Sequence, residues 1–200
     1  MTCRSELRLV SDWFHLSGSE TSTDAERYSC EITLDPNTAH RHMLLSEGNR
    51  KVTFMKQDQF YPDHPERFTS CGQILSKESL TGRCYWEVKW GGPGGRVAVA
   101  YKDVDKTESA FGFNDKSWSL FCDENFNQFC HNSIRTPISA CAGSRVGVYL
   151  DHRAGVLSFY RVSETMTLLH KVQTSFTRPL HAGIGLCFNY GDTAEICKLK

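Results

Sequence analysis

The stretch that most restricts what this chain can become is residues 146–160, where two β-rich runs, 146–150 and 156–160, are joined by Asp151-His152-Arg153-Ala154-Gly155. A polar link closed by a glycine, which reaches φ > 0 without a Cβ clash, makes the unit a hairpin. Both arms are apolar on both faces: Val148 and Leu150 against Tyr149 on one, Val156 and Tyr160 against Leu157 and Phe159 on the other. Strands of that kind belong in the middle of a layered fold.

The rest of the chain repeats this texture. Short β-type runs at 30–34, 42–45 and 52–55 are punctuated by Asp35-Pro36-Asn37 and Glu47-Gly48-Asn49, both good turn chemistry. Residues 56–67 form a polar and aromatic loop, because Pro62 and Pro65 forbid a central strand. In 82–90, Cys84, Trp86, Val88 and Trp90 alternate with Tyr85, Glu87 and Lys89, the period of a half-buried strand. Gly91 to Gly95 turns the chain before the strand at 96–101. Further runs are expected at 111–113, 118–122, 126–130, 168–173, 182–188 and 194–199. About a dozen short strands between turns specify an all-β protein, read here as a two-layer antiparallel sandwich. Residues 1–27 stand apart as an extension in which Leu9, Trp13 and Leu16 fall at the spacing of a short docking helix, followed by a polar linker.

Charge narrows the partners. Lys and Arg number 23 and so do Asp and Glu, so nothing draws the chain to phosphate backbones, and nucleic acid is not expected as a partner. No apolar run reaches the roughly 18 residues of a membrane span, and the first 18 residues are too charged for a secretory signal. Nine cysteines, an odd number, in a chain long enough to hold a core without staples are expected to be reduced thiols in the cytoplasm.

Three landmarks, Leu34-Asp35-Pro36, Trp86-Glu87-Val88, and Leu150-Asp151 with Ser158-Phe159-Tyr160, resemble in identity and order those of PRY-SPRY domains. Pro65-Glu66-Arg67-Phe68 and the run from Leu80 to Trp86 strengthen the likeness. The wording of several segments is similar to fish versions found at the C-termini of tripartite-motif proteins, NOD-like receptors and stonustoxin-like lytic proteins. The resemblance implies one domain over residues 28–200, its PRY part at about 28–78 and its SPRY part at about 79–200. It implies a bent sandwich, no catalysis within the domain, and loops at one rim that bind a protein or peptide, here as the target-binding part of an innate-immune or ubiquitin-ligase-type protein. The alternative is the C-terminal domain of a pore-forming protein, contributing to assembly or membrane contact.

Loop composition nominates Phe60, Tyr61, His64 and Arg67, and Asp115, Lys116, Phe121 and Asp123 around Trp118, since aromatics and arginine dominate interface energetics. By resemblance, Phe121 and Asp123 match positions that hold partner-contacting tryptophans in tripartite-motif relatives, and Phe188 and Asn189 match a Phe-Asn pair on the same rim. A carboxylate in place of an indole at 123 removes an apolar anchor, so the ligand is expected to differ. Trp86, Trp118, Phe159 and Tyr160 read as core. Gly91 to Gly95 lacks the Gly-Lys-Ser/Thr ending and following helix of a phosphate loop. Cys122, Cys130 and His131, or His40 with His42, match no standard zinc spacing, and no cysteine sits in a nucleophile signature. No metal, cofactor or catalytic residue is expected. Without a heptad pattern, a monomer is expected.

Overall fold

The computed structural model describes residues 27–123, 126–138, 143–186 and 189–199. Two antiparallel sheets face one another. The first takes, in spatial order, β1 (Met43–Ser46), β2 (Lys51–Phe54), β13 (Thr193–Ile196), β4 (Arg83–Gly91), β9 (Arg145–Asp151), β10 (Val156–Val162) and β11 (Met166–Gln173). The second takes β3 (Gln73–Leu75), β12 (Leu180–Gly185), β5 (Gly95–Tyr101), β6 (Ser117–Cys122), β7 (Asn127–His131) and β8 (Ile134–Pro137).

The hairpin expected at 146–160 is β9–β10, and it lies inside its sheet, between β4 and β11. Val148 faces Phe159 and Leu150 faces Leu157 across the pair, while Trp86 and Cys84 of β4 meet Val148 and Leu150 on the other side. Gly155 closes the turn at φ +71°, where an added Cβ would run into the Thr174 carbonyl. Val146, Val148, Leu150, Leu157 and Phe159 are fully buried against Val97, Val99 and Leu120 of the second sheet. The aromatic residues read as core, Trp86, Trp118, Phe159 and Tyr160, are all buried. The opposite apolar face is buried too: Tyr85 donates its hydroxyl to Glu87 Oε1 at 2.9 Å, and Arg145 donates to Glu87 Oε2 at 3.0 Å. Burial first, then the Glu87 charge, pushes the Tyr85 phenol far above its ordinary range.

Several elements differ from the sequence expectation. Residues 30–34 form no strand but run beside two others through isolated bridges, Ser29 to Tyr85 and Leu34 to Ser76. Residues 111–113 are part of a turn that covers a sheet face. Two strands were not expected: β3, only three residues long, and β8, whose Pro137 and exposed side chains carry no strand signal. The helix proposed around Leu9, Trp13 and Leu16 lies outside the described residues.

The expectation of reduced thiols is corrected at one pair. Cys30 and Cys84 are joined as a disulfide, with Cα atoms 5.5 Å apart. The cause is the short parallel bridge, in which Tyr85 donates its N–H to the Tyr28 carbonyl at 2.7 Å and accepts from the Cys30 N–H at 3.1 Å. Cys71, Cys122, Cys130 and Cys197 remain thiols.

Three imidazoles titrate below the ordinary histidine value, each chiefly because burial disfavours the charged ring: His40, His170 and His181. His40 also sits against His42, whose backbone N–H it accepts at Nδ1, 3.2 Å away. The unfolded chain takes up these protons at higher pH than the folded one does. Their contribution is therefore complete above the unfolded value of 6.5 and is lost as pH falls through the lower folded values. Denaturant midpoints measured from pH 7.5 down to 5 should decline, and His40→Gln should flatten the decline.

Candidate protein-interaction surface

Strand register puts at one end of the sandwich the strand ends joined by six connections: residues 55–72, 92–94, 123–126, 138–144, 163–165 and 186–192. They follow Phe54, Gly91, Cys122, Pro137, Val162 and Gly185, all of which lie at that end of their strands. This is the rim. The exposed aromatic residues among those described, Phe60 (89%), Tyr190 (58%) and Phe126 (50%), all stand on these rim connections.

Below the rim, the outer face of the second sheet is built for a covering loop. Gly183, Ala98 and Ser119 lie side by side across β12, β5 and β6. A Cβ at Gly183 would come within 2.9 Å of the Phe111 ring, so these small residues make the space in which that ring lies. Residues 102–116 fold back over this face, and Phe68, Leu75, Ala98, Ala100, Val104 and Phe111 form a second, smaller core. Polar side chains of the sheet hold the loop. Gln73 Oε1 accepts the Phe111 N–H at 2.6 Å, Ser117 Oγ accepts the Gly112 N–H at 2.7 Å, and Cys130 donates its thiol to the Gly112 carbonyl at 3.1 Å.

One rung nearer the rim, Gln73, Gly185, Arg96, Phe121, Gln128 and Pro137 form a continuous row across the sheet. Arg96 is only 8% exposed. Its guanidinium lies 5.0 Å from the Phe121 ring and 5.4 Å from the Phe113 ring, and donates to the Phe111 carbonyl and Ser119 Oγ at 3.1 and 3.0 Å. The Arg135 guanidinium, on exposed β8, lies 5.0 Å from the same Phe113 ring. At the row's rim side, Phe121 meets Phe126 at 6.5 Å, and Asp123 Oδ1 accepts the Phe126 N–H at 3.0 Å, closing the β6–β7 hairpin. An aromatic and cationic surface backed by a rigid sheet is suited to holding a partner's side chains.

The residues nominated from sequence divide into separate places. Phe121 and Asp123 lie in the row and its hairpin, and Asn189 is on the rim, where its N–H donates to Asp192 Oδ2 at 2.9 Å. Phe188 lies outside the described residues. Phe60 projects from the 55–72 connection with φ +53°, unusual for a bulky residue, and its N–H donates to Asp58 Oδ1 at 2.9 Å. That connection follows the β3 side of the sheet. Gln73 and Phe121 are separated by β12 and β5, so three strand spacings of roughly 4.8 Å put them about 14 Å apart.

Tyr61 and Arg67 are turned inward. The Tyr61 hydroxyl donates to the Met43 carbonyl at 2.8 Å, and Arg67 donates to the Pro36, Ala39 and Pro62 carbonyls at 2.9, 2.6 and 2.7 Å. His64 Nδ1 accepts the Glu66 N–H at 3.1 Å. These three shape the loop. Asp115 and Lys116 lie at the far end of β6, beside Tyr101, away from the rim. Lys116 donates to Asp103 at 2.8 Å, and Arg178 with Lys116 holds the Asp103 carboxyl down at about 2. Arg96, Phe113, Gln128 and Arg135 are not among the residues nominated from sequence. The one available signal was Arg96, a lone charge in the otherwise apolar run 95–101.

No group of three or more metal-ligating side chains comes together among the described residues. Burial pushes the Cys130 and Cys197 thiols up, the opposite of what activates a cysteine nucleophile. No helix among the described residues is long and apolar enough to cross a membrane.

Comparison with known proteins decides the family. The SPRY-associated domain, PRY, matches residues 32–80, and the SPRY domain matches residues 83–198. The chain belongs to the PRY-SPRY family. This PRY-SPRY chain is 38% identical over 167 residues to tripartite motif-containing protein 16 of Mus musculus, covering 80% of itself and 30% of that protein. It is 36% identical over 178 residues to stonustoxin subunit beta of Synanceia horrida, covering 84% of itself and 25% of that subunit. The crystal structure of the TRIM65 PSpry domain superposes with a TM-score of 0.82 at 25% identity, covering 88% of this chain and 94% of that one. The chain thus spans a quarter to a third of the length of these two curated relatives. PRY-SPRY domains are a recognised non-catalytic family of protein-interaction modules, and this chain is one of them.

Proposed function

We propose that this PRY-SPRY chain captures a target protein or peptide at the rim, through Phe121, Phe126 and the row around Arg96, with Phe60, Tyr190 and Asn189 as a flanking patch. It serves as the recognition part of a cytoplasmic immune or regulatory protein whose output comes from another domain. The placement of the exposed aromatics carries this reading, since all three described ones stand at one end and rings of this kind supply much of an interface's energy once a partner buries them. The test is a crosslinking pull-down with wild type, Phe126→Ala, Phe60→Ala, and Arg153→Ala at the other end of the sandwich. The expected result is a partner retained by wild type and Arg153→Ala and lost with Phe126→Ala, all four melting within about 2 °C of one another, as surface changes do. Retention by every variant would defeat the proposal.

The Cys30–Cys84 disulfide favours a second reading, because such bonds persist in oxidising compartments. In it the chain belongs to a secreted pore-forming protein and contributes to assembly or membrane contact. Co-sedimentation of the chain with phosphatidylcholine vesicles at submicromolar concentration would support direct membrane contact, and its absence would remove it.

A further inference from the structure

We infer that the part of the surface between β7 and β8 is an acid-reading subsite: Arg135, beside Phe113 and the buried Arg96, receives an aspartate or glutamate side chain of the captured peptide. This rests on the reading of the rim face as the interaction surface.

Two guanidinium groups approach one aromatic ring here, Arg96 at 5.4 Å and Arg135 at 5.0 Å from Phe113. Their circumstances differ. Arg96 is buried and donates to the Phe111 carbonyl and Ser119 Oγ, so it is a fixed positive charge in the floor. Arg135 is exposed and enters no ion pair with any described residue. A guanidinium resting against a ring keeps its edge N–H groups available, in the fork that matches a carboxylate. The ring limits the side-chain freedom that forming such a pair would otherwise cost, and the Arg96 charge adds attraction for an anion.

The surroundings also fix which way the ligand lies. Asp123 places negative charge at the tip of the β6–β7 hairpin, where it accepts the Phe126 N–H. A peptide acid is favoured toward β8, where the exposed Arg135 guanidinium lies. Phe121, whose ring lies 5.0 Å from the Arg96 guanidinium, and Phe126 beside it would receive an apolar neighbour of that acid. The recognised element is an acidic residue next to a bulky apolar one.

The test is panning of a displayed library of random dodecamer peptides on the whole chain and on Arg135→Glu, Arg135→Gln and Arg153→Glu. The last reverses an exposed charge in the β9–β10 turn, at the other end of the sandwich. Wild type and Arg153→Glu should both enrich Asp or Glu beside an aromatic or aliphatic residue. Arg135→Glu should select Lys or Arg there instead, and Arg135→Gln should weaken a synthetic acidic winner by at least about tenfold, the loss of one charged hydrogen bond. Binders without acidic enrichment, or the same acidic motif on Arg135→Glu, would overturn the subsite and leave capture at the rim standing. A wild-type panning that yields no binder at all would overturn both.

Discussion

Phe111→Ala is expected to destabilise the domain by about 3–5 kcal/mol, the usual cost of emptying a fully buried phenylalanine site, and to weaken target capture at temperatures where the chain is still folded. The first effect follows from packing. The Phe111 ring meets Phe68 edge-on at 5.3 Å and fills the space left by Gly183, and both backbone groups of residue 111 are committed, the N–H to Gln73 and the carbonyl to Arg96. The second effect follows from position. The loop carrying Phe111 also carries Phe113, against which both Arg96 and Arg135 lie. When the ring that pins this loop is removed, the floor of the interaction surface loses its fixed geometry. Phe68→Leu, which disturbs the same small core farther from the arginines, should lower the melting temperature with a smaller change in binding. Equal losses of binding in the two variants would show that stability alone explains both.

Reduction of the Cys30–Cys84 bond is expected to be the other large effect. It closes a loop with a sequence separation of 54, and removing such a crosslink typically costs about 2–4 kcal/mol by freeing the unfolded chain. For a domain of this size each kcal/mol moves the melting temperature by about 2–4 °C, so dithiothreitol should lower it by roughly 5–15 °C. The entry segment has other ties: Arg83 donates to the Tyr28 hydroxyl at 3.1 Å and to Asp151 at 2.8 Å, and Tyr28 packs edge-on against Tyr149. Reduction is therefore expected to loosen that segment while leaving the two sheets paired. Cys30→Ser should melt as the reduced wild type does and be indifferent to reductant. An unchanged wild-type melting temperature in dithiothreitol would show that the two sulfurs do not form the bond in solution.

What could be read from sequence depended on whether a residue's role is local. The β9–β10 hairpin was legible because its signal, two-faced apolar strands around a glycine-closed turn, is written within fifteen residues, and its central position follows from the same pattern. Trp86 and Phe159 were legible as core for the same reason. Phe111 and Phe113 have the types and spacing of a strand, while their real function is to cover a face prepared by Gly183, Ala98 and Ser119, which come from three different strands, one of them about 70 residues on. Arg135 had no local mark at all. Its place beside Phe113 comes from the pairing of β8 with β7 and the return of residues 102–116 over the sheet. The Cys30–Cys84 pair was likewise invisible, since nothing among nine cysteines singles out two that a single parallel bridge sets side by side.

Of the nominated residues, the structure brings Phe121 and Asp123 into one surface, puts Phe60 and Asn189 on the same rim, and turns Tyr61 and Arg67 inward. Lys116 is spent on Asp103 at the other end. Aromatic character marked residues capable of binding; only the fold tells which of them face outward.

The most direct test is site-specific photocrosslinking. Benzoylphenylalanine placed at position 126, on the rim, and separately at position 153, in the turn at the opposite end, is irradiated with a peptide selected by panning. A covalent adduct at 126 and none at 153 is the predicted result. An adduct at 153 with none at 126 would contradict capture at the rim.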